Sequence, residues 1–319
     1  MHAYDFATAR DIRQATSSDG AFLAGGTTLV DLMKLGVLRP DHVIDINSLP
    51  LRGIRTGRDG VRVGALERMS DLAADRTITG HYPVFAQALA VSASPQIRNM
   101  ASIGGNLLQR TRCGYFRDVT TPCNKRQPGS GCPARIGDNR EHAILGTSTA
   151  CVATHASDAA VALMALDASV RLIGRDGERT VRLAEFYRLP GTTPDVENQL
   201  RPGELIAEVI LPRLEWARTS TYVKVRDRQS YEFALCSAAV ALDVRGHRIR
   251  DARVAAGGVG TMPWRLPNVE TLLKGKPPTL EAFEAAARSA VDGAEPLEHN
   301  AFKLNLLKNT IVRALAGLR

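Results

Sequence analysis

Apolar positions in this chain come in short runs broken by glycine- and proline-rich turns, and their period shifts between two and nearly four. Residues 2–6 predict a strand, with Thr8 or Asp11 capping a short helix after it. Ala21-Phe22-Leu23-Ala24 predicts a buried strand leading into Gly25-Gly26-Thr27-Thr28. Leu29, Leu32, Met33 and Leu35 then recur at helical spacing until Gly36 stops them, and His42–Ile46 predicts the next strand. Residues 51–64 alternate around Arg58-Asp59-Gly60, which signals a hairpin. Ser70 would cap a helix to Asp75, and Val84–Val91 predicts another, broken at Ser94-Pro95.

The segment from Gln96 to Asp158 interrupts this rhythm. It opens with Ser102-Ile103-Gly104-Gly105-Asn106, becomes crowded with Cys, Gly, Pro, Arg and Thr, and ends at Ser157-Asp158 before an apolar helix over 159–166. Ser169–Ile173 and Thr180–Leu183 read as strands paired around Arg175-Asp176-Gly177-Glu178. Leu189–Gly203 reads as a loop, and Leu205–Leu211 as a closing strand. A boundary falls at Pro212–Ser220. Strands at Thr221–Val225, Ala234–Val244 and Val254–Gly260 follow, then helices at Leu280–Val291 and Ala301–Leu318. The expected class is α+β, with one domain over 1–215, carrying a cysteine-rich insertion at 108–151, and a smaller α+β domain over 220–319.

Composition narrows the function without naming it. The chain has 319 residues, 44% of them hydrophobic, enough for ample core. No run approaches the roughly 18 apolar residues of a membrane span. The start of the chain has neither a basic stretch nor an apolar one, so no export signal is expected in it. The net charge of +8 suits either a scattered basic surface or a docking face for an acidic partner; with 5% aromatic residues and no basic-aromatic stripe, nucleic acid is not an expected partner.

Two features carry candidate chemistry. Each glycine pair, Gly25-Gly26 and Gly104-Gly105, follows an extended or apolar segment, where glycine lets backbone N–H groups converge on a phosphate. Either pair alone also reads as a tight turn, and the dinucleotide fingerprint GxGxxG is absent. The second feature is cysteine. Five are present; Cys236 sits in an apolar run and reads as core, while Cys113, Cys123, Cys132 and Cys151 follow the pattern C-x9-C-x8-C-x18-C. That lacks the C-x2-C knuckles of zinc sites and ferredoxins. Four thiolates on a long loop suit an iron–sulfur cluster; reduced cysteines in a surface insertion are the other reading. Gly129 and Gly131 would let the loop wrap, and Arg110, Arg112, Lys125, Arg126 and Arg135 would offset a cluster's negative charge.

Four stretches together resemble the FAD-binding medium subunits of the molybdenum hydroxylases, the xanthine oxidase and carbon monoxide dehydrogenase group. They are Leu23 to Asp31, Gln96 to Asn106, Ser157 to Leu163, and Tyr222 to Arg226, and the resemblance spans the chain. It implies a two-part FAD-binding domain of the PCMH type, then a C-terminal domain of the CO dehydrogenase flavoprotein type. It further implies that Leu23, Ala24, Gly25, Gly26, Thr27, Thr28, Leu29 and Val30, with Ala101, Ser102, Ile103, Gly104, Gly105 and Asn106, hold the FAD pyrophosphate and ribityl chain through backbone N–H groups. Asp158 would accept from a ribityl hydroxyl, or cap its helix, or both. Lys224 would lie near flavin or adenine, or be a surface lysine; Ile206 would pack on adenine, or be plain core.

The cysteine insertion resembles the subset whose flavin subunit carries a [4Fe-4S] cluster, as in bacterial periplasmic aldehyde oxidoreductase; this would make Cys113, Cys123, Cys132 and Cys151 the iron ligands. Hydroxybenzoyl-CoA reductase spaces its cysteines differently. The implied function is electron transfer in a molybdenum-dependent aldehyde oxidoreductase, with no acid, base or nucleophile in this chain. The molybdenum cofactor would sit on a large partner subunit and two [2Fe-2S] clusters on a small one, in a heterotrimer or its dimer. Electrons would leave to an external acceptor, and the complex would reach the periplasm by co-export with a signal-bearing partner, or stay cytoplasmic. Rival readings are the flavin subunit of a xanthine dehydrogenase or aryl-CoA reductase, a scaffold that has lost flavin, and a self-contained oxidase with flavin attached at a residue such as His155.

Overall fold

A computed structural model describes residues 1–318; Arg319, the last residue of the expected second domain, lies outside the described residues. Three sheets organise the chain. The first is parallel, built from β1 (Asp5–Thr8), β2 (Ala21–Leu23) and β3 (His42–Asp45) in the order β1-β3-β2. Its strands are joined by the helices Ile12–Ser17 and Leu29–Lys34. Asp11 caps the first helix, accepting from the Gln14 N–H at 2.7 Å.

The second sheet is antiparallel: β4 (Ile54–Gly57), β5 (Gly60–Gly64), β6 (Ser169–Gly174), β7 (Gly177–Arg182) and β8 (Leu205–Pro212), in the order β4-β5-β8-β6-β7. Both predicted hairpins lie here. The strand from after the loop, β8, inserts between them.

The third sheet holds β9 (Ser220–Val225), β10 (Cys236–Arg245), β11 (Arg248–Gly257) and β12 (Trp264–Arg265), in the order β12-β11-β10-β9. It is buried on both faces, which explains the continuous apolar run of β10. Cys236, Ala238, Val240 and Leu242 face a core made with the helices Pro267–Leu273, Leu280–Ala287 and Phe302–Ala316. Tyr222, Ala239 and Ala255 face the large core of the first domain, where the helices Pro83–Val91 and Asp158–Ala165 pack. Small residues are needed at this contact: a Cβ on Gly257 would come within 2.6 Å of Val161 Cγ2.

Several local expectations need correction. The first strand is Asp5–Thr8, not 2–6, because it is defined by pairing with β3; all four residues are exposed. Ser70 lies inside the helix Met69–Ala74, and Asp75 caps a further helix, Arg76–His81, whose single buried residue, Ile78, left no periodic signal. Ser94 does not end helical structure but caps a new helix, Pro95–Met100. The α-helix predicted to Val291 becomes 3-10 after Ala287. The Gly104-Gly105 stretch is not an open turn: it lies in the short helix Ile103–Leu107, capped by Ser102.

Candidate functional site

The first glycine loop is held open by its neighbours. Gly26 adopts φ +72°, the left-handed region, and a Cβ on Gly25 would fall 1.9 Å from the Met100 carbonyl oxygen. The loop therefore lies flush against Met100-Ala101 of the second loop, an approach only glycine permits. The N–H groups of Gly25, Gly26, Thr27 and Thr28 find no acceptor among the described residues. They open at the start of the helix Leu29–Lys34, where an anion is favoured. Leu23 ends β2, and the Ala24 carbonyl accepts from the Asn47 side chain at 2.9 Å.

The second loop behaves differently. Its N–H groups at Ile103, Gly104, Gly105 and Asn106 are spent on the Glu67 carbonyl, the Ala65 carbonyl, the Ser102 hydroxyl and the Ser102 carbonyl. Gly104 is small because a Cβ there would meet Ala65 Cβ at 2.8 Å. The expected row of backbone donors thus belongs to the first loop alone. What the second loop offers is Ala101 and the Asn106 side chain, whose Oδ1 accepts from Ser157 Oγ at 2.6 Å.

Between these loops runs a cleft of ≈ 410 Å³, with Thr27 and Thr28 on one wall and Ser92, Asn106 and Asp158 on another. Tyr231 and Phe233, from the loop between β9 and β10, complete it. The volume is in the range of cofactor sites. Ser157, not Asp158, caps the helix Asp158–Ala165, accepting from the Ala160 N–H at 3.0 Å. That frees the Asp158 carboxylate for other partners. It accepts from Tyr222 Oη at 2.7 Å, from Lys224 Nζ at 2.8 Å and from Ser92 Oγ at 3.2 Å. Lys224 is no surface lysine: its side chain is 3% exposed. Burial beside this carboxylate pushes the Tyr222 phenol well above its ordinary value. Ile206 packs in the main core and does not line the cleft.

The insertion folds around its cysteines. All four, Cys113, Cys123, Cys132 and Cys151, line one cavity with Tyr115, Phe116, other apolar groups, Asn124 and Lys125, and none forms a disulfide. Burial raises the Cys113 thiol to about 12 and also raises Cys132 and Cys151. Backbone N–H groups point at three of the sulfurs, those of Tyr115 and Phe116 at Cys113, Val152 and Ala134 at Cys132, and Ala153 at Cys151. His142 Nε2 lies 3.2 Å from Cys113 Sγ. Apolar burial disfavours free thiolates, while N–H groups aimed at sulfur favour them; together they suit thiolates whose charge a metal cluster neutralises. No group of three or more His, Cys, Asp or Glu among the described residues is close enough to hold a single metal ion.

The basic residues of the insertion that have partners hold the loop in place. Arg126 donates to the carbonyls of Tyr115, Phe116 and Thr121; Arg110 and Lys125 pair with Glu197; Arg135 donates to the Ser148 carbonyl. They pin the loop, and the positive charges of Lys125 and Arg135 also act on the Cys151 and Cys132 thiols, lowering them against the effect of burial. Gly129 and Gly131 adopt φ +86° and +107°, as a wrapping loop requires. Arg112 and Arg117 reach across to Asp31, on the first helix of the cleft, at 2.9 and 2.7 Å. Their hydrogen bonds, Arg117's foremost, hold the Asp31 carboxyl below its usual range. The lining of the cleft by Ser92, Ala93, Arg112, Tyr231 and Phe233 was not foreseen; the left-handed Ala93, at φ +44°, leaves no signal in sequence.

Residues 1–214 match the family described as the FAD binding domain in molybdopterin dehydrogenase, and residues 221–318 the CO dehydrogenase flavoprotein C-terminal domain. The chain belongs to the FAD-binding subunits of the molybdenum hydroxylases. It is thus an oxidoreductase subunit. It is similar to the aldehyde oxidoreductase FAD-binding subunit PaoB of Escherichia coli (strain K12), 47% identical over 93% of this chain and 91% of that protein. The glyceraldehyde dehydrogenase medium chain of Sulfolobus acidocaldarius is 31% identical over 80% of this chain and 73% of its own length. Among solved structures, carbon monoxide dehydrogenase from Hydrogenophaga pseudoflava superposes with a TM-score of 0.76 at 26% identity, covering 98% of this chain and 96% of that one. No helix of the described residues is long and apolar enough to cross a membrane.

Proposed function

We propose that this chain is the FAD- and [4Fe-4S]-containing electron-transfer subunit of a molybdenum-dependent aldehyde oxidoreductase. The observation that carries this reading is the pairing of two sites in one domain: a cleft with open N–H groups, and a cavity lined by four cysteines, joined through Asp31, Arg112 and Arg117. The likeness to PaoB supports aldehyde as the substrate class of the complex. The N–H groups of Gly25 to Thr28 would hold the FAD pyrophosphate, and Ser92, Asn106 and Asp158 the ribityl chain. Cys113, Cys123, Cys132 and Cys151 would hold the cluster.

Bound flavin supplies exchange between single-electron and two-electron carriers. The chain's own contribution is positional. Lys224 and Tyr222 fix the Asp158 carboxylate, Tyr231 and Phe233 line the cleft, and no side chain acts as nucleophile. Partner subunits with a molybdenum cofactor and [2Fe-2S] clusters would feed electrons in, and an external acceptor would take them out. Such a complex would work in the periplasm, carried there by a partner's signal. Purification with the partner subunits tests the reading: a flavin spectrum is expected, with about four iron atoms lost in Cys123→Ser while flavin is retained. A colourless complex, or iron unchanged by Cys123→Ser, would refute it.

A further inference from the structure

Next to the cleft lies a second, smaller cavity of ≈ 60 Å³, walled by Cys113, His142, His155, Asp158, Ser237 and Gly257. Five buried side-chain nitrogen or oxygen atoms among the described residues lack a hydrogen-bond partner. Four of them, Arg112 Nε, His142 Nδ1, His155 Nε2 and Ser237 Oγ, belong to residues lining this one cavity. Leaving such an atom bare costs about 1–3 kcal/mol. Their convergence therefore calls for a polar occupant. At roughly 30 Å³ per molecule the space admits about two waters. It is too small for a flavin ring, which the neighbouring cleft accommodates.

Most of the hydrogen-bond directions can be assigned. His155 Nδ1 accepts from the Ser157 N–H at 3.3 Å, so on the neutral ring Nε2 carries the proton and donates. Burial keeps His155 neutral by lowering it to about 3, and its Nε2 is buried. His142 Nε2 lies against Cys113 Sγ, which leaves Nδ1 as the ring nitrogen without a protein partner. Arg112 Nε donates, and the Ser237 hydroxyl does both. Ser237 Oγ also faces the Tyr222 phenol, itself bonded to Asp158. Water in this space would find donors, a free ring nitrogen and a hydroxyl around it. The wall is close-fitting, since a Cβ on Gly257 would sit 2.6 Å from Ser237 Oγ.

Asp158, Glu141 and Glu232 line both this cavity and the cleft. Of the three, Asp158 is buried, Glu232 is partly exposed and paired with Arg228 at 3.1 Å, and Glu141 is exposed; Asp227, which lines the cavity alone, is tied to Arg140 at 2.8 Å. We propose that this cavity holds an ordered water cluster that relays protons from the exposed Glu141 carboxylate to the buried Asp158, which lines the cleft. The inference rests on the reading that the cleft binds FAD. Each pair of electrons that the partner's substrate oxidation sends to oxidised flavin is matched by two protons taken from solvent along this path, giving reduced flavin. His155 and Ser237 position the water and are not consumed.

The test uses the complex with its partner subunits, comparing wild type, Ser237→Val, Ser237→Thr and His155→Phe. Flavin and iron are assayed first, then flavin bleaching by aldehyde is followed by stopped flow in H2O and D2O. With flavin content unchanged, Ser237→Val and His155→Phe should slow bleaching about tenfold or more and raise the solvent isotope effect, with Ser237→Thr restoring both. Wild-type rates and isotope effects in both variants would overturn the relay. So would a high-resolution structure of the wild-type complex with no ordered water between His155 Nε2 and His142 Nδ1, a result that needs no variant to fold. A wild-type complex without flavin would instead sink the FAD reading beneath it.

Discussion

Replacing Lys224 with methionine removes one half of a buried ion pair that joins the two halves of the molecule. Lys224 lies on β9, in the C-terminal sheet, and Asp158 opens a helix of the first domain; their side chains are 3% and 7% exposed. Breaking such a pair leaves an uncompensated buried charge, at about 3–5 kcal/mol. Part of this is offset here, because Asp158 keeps its bonds from Tyr222 and Ser92 and sits at a helix N-terminus, worth about 0.3–2 kcal/mol. The net expected loss is about 2–4 kcal/mol, whereas an exposed lysine would cost under about 0.5. Urea unfolding of the isolated subunit, followed by circular dichroism, reads the difference. Adding Asp158→Asn to Lys224→Met should recover about 1 kcal/mol or more, since the stranded charge is then gone. A loss below about 1 kcal/mol, or no recovery in the double variant, would refute the assignment of a buried, coupled pair.

Glycine substitutions separate close approach from backbone freedom. Gly25→Ala drives a Cβ to 1.9 Å from a backbone oxygen, and should cost about 2 kcal/mol or more and release flavin. Gly129→Ala meets nothing within 4 Å but must hold φ +86°, so about 1–2 kcal/mol is expected and flavin should stay. Gly80→Ala, inside the helix Arg76–His81 with nothing within 4 Å, should stabilise by about 0.5–1 kcal/mol. Thermal melts and flavin absorbance check all three. Lys303 gives a pH test. Burial lowers its ammonium from 10.5 to about 8, although three carbonyls, those of Glu141, His142 and Gly258, accept from it. Between pH 8 and 10.5 the unfolded chain binds the proton that the folded one has released, so stability gained from this group rises with pH across that window. The gain disappears as pH falls through 8. Lys303→Met should lack this slope in pH-dependent unfolding.

Much of the fold was legible because local signals agreed with burial. The alternation around Arg58-Asp59-Gly60 and around Asp176-Gly177 forms hairpins, and Asp11 caps its helix. Where one local feature had two uses, sequence could not choose between them. Gly104 and Gly25 look alike in the chain, yet one is small to let a helix approach Ala65 and the other to let two loops meet. Lys224 reads as either a neighbour of the cofactor or a surface lysine; only the helix packed behind it, which is distant in sequence, supplies the carboxylate that buries it. The arginines of the insertion were legible as cations but not as pins, since their acceptors, Glu197, Asp31 and backbone carbonyls, are assembled by the fold.

That assembly gives Asp31 a role that neither loop has alone. It is in the first turn of the helix that follows the open N–H groups, and it accepts from Arg117 through both carboxylate oxygens, at 2.7 and 3.0 Å. Beneath it, Leu32 of the same helix packs with Phe116 and Cys123 of the insertion. Folding of the cysteine loop and placement of the helix after the open N–H groups are therefore parts of one contact. Asp31→Asn keeps the shape but removes the charge that two guanidiniums share, and should cost about 1–3 kcal/mol at this half-buried site. In the intact complex that loss should appear as weaker flavin retention on dilution, with iron content kept, because the apolar packing and the cysteines are untouched. Because the folded carboxyl lies below its usual value, the stability it contributes is present above about pH 3.8 and lost as pH falls lower. Unchanged flavin retention in Asp31→Asn would mean that the insertion and the cleft are neighbours without being coupled.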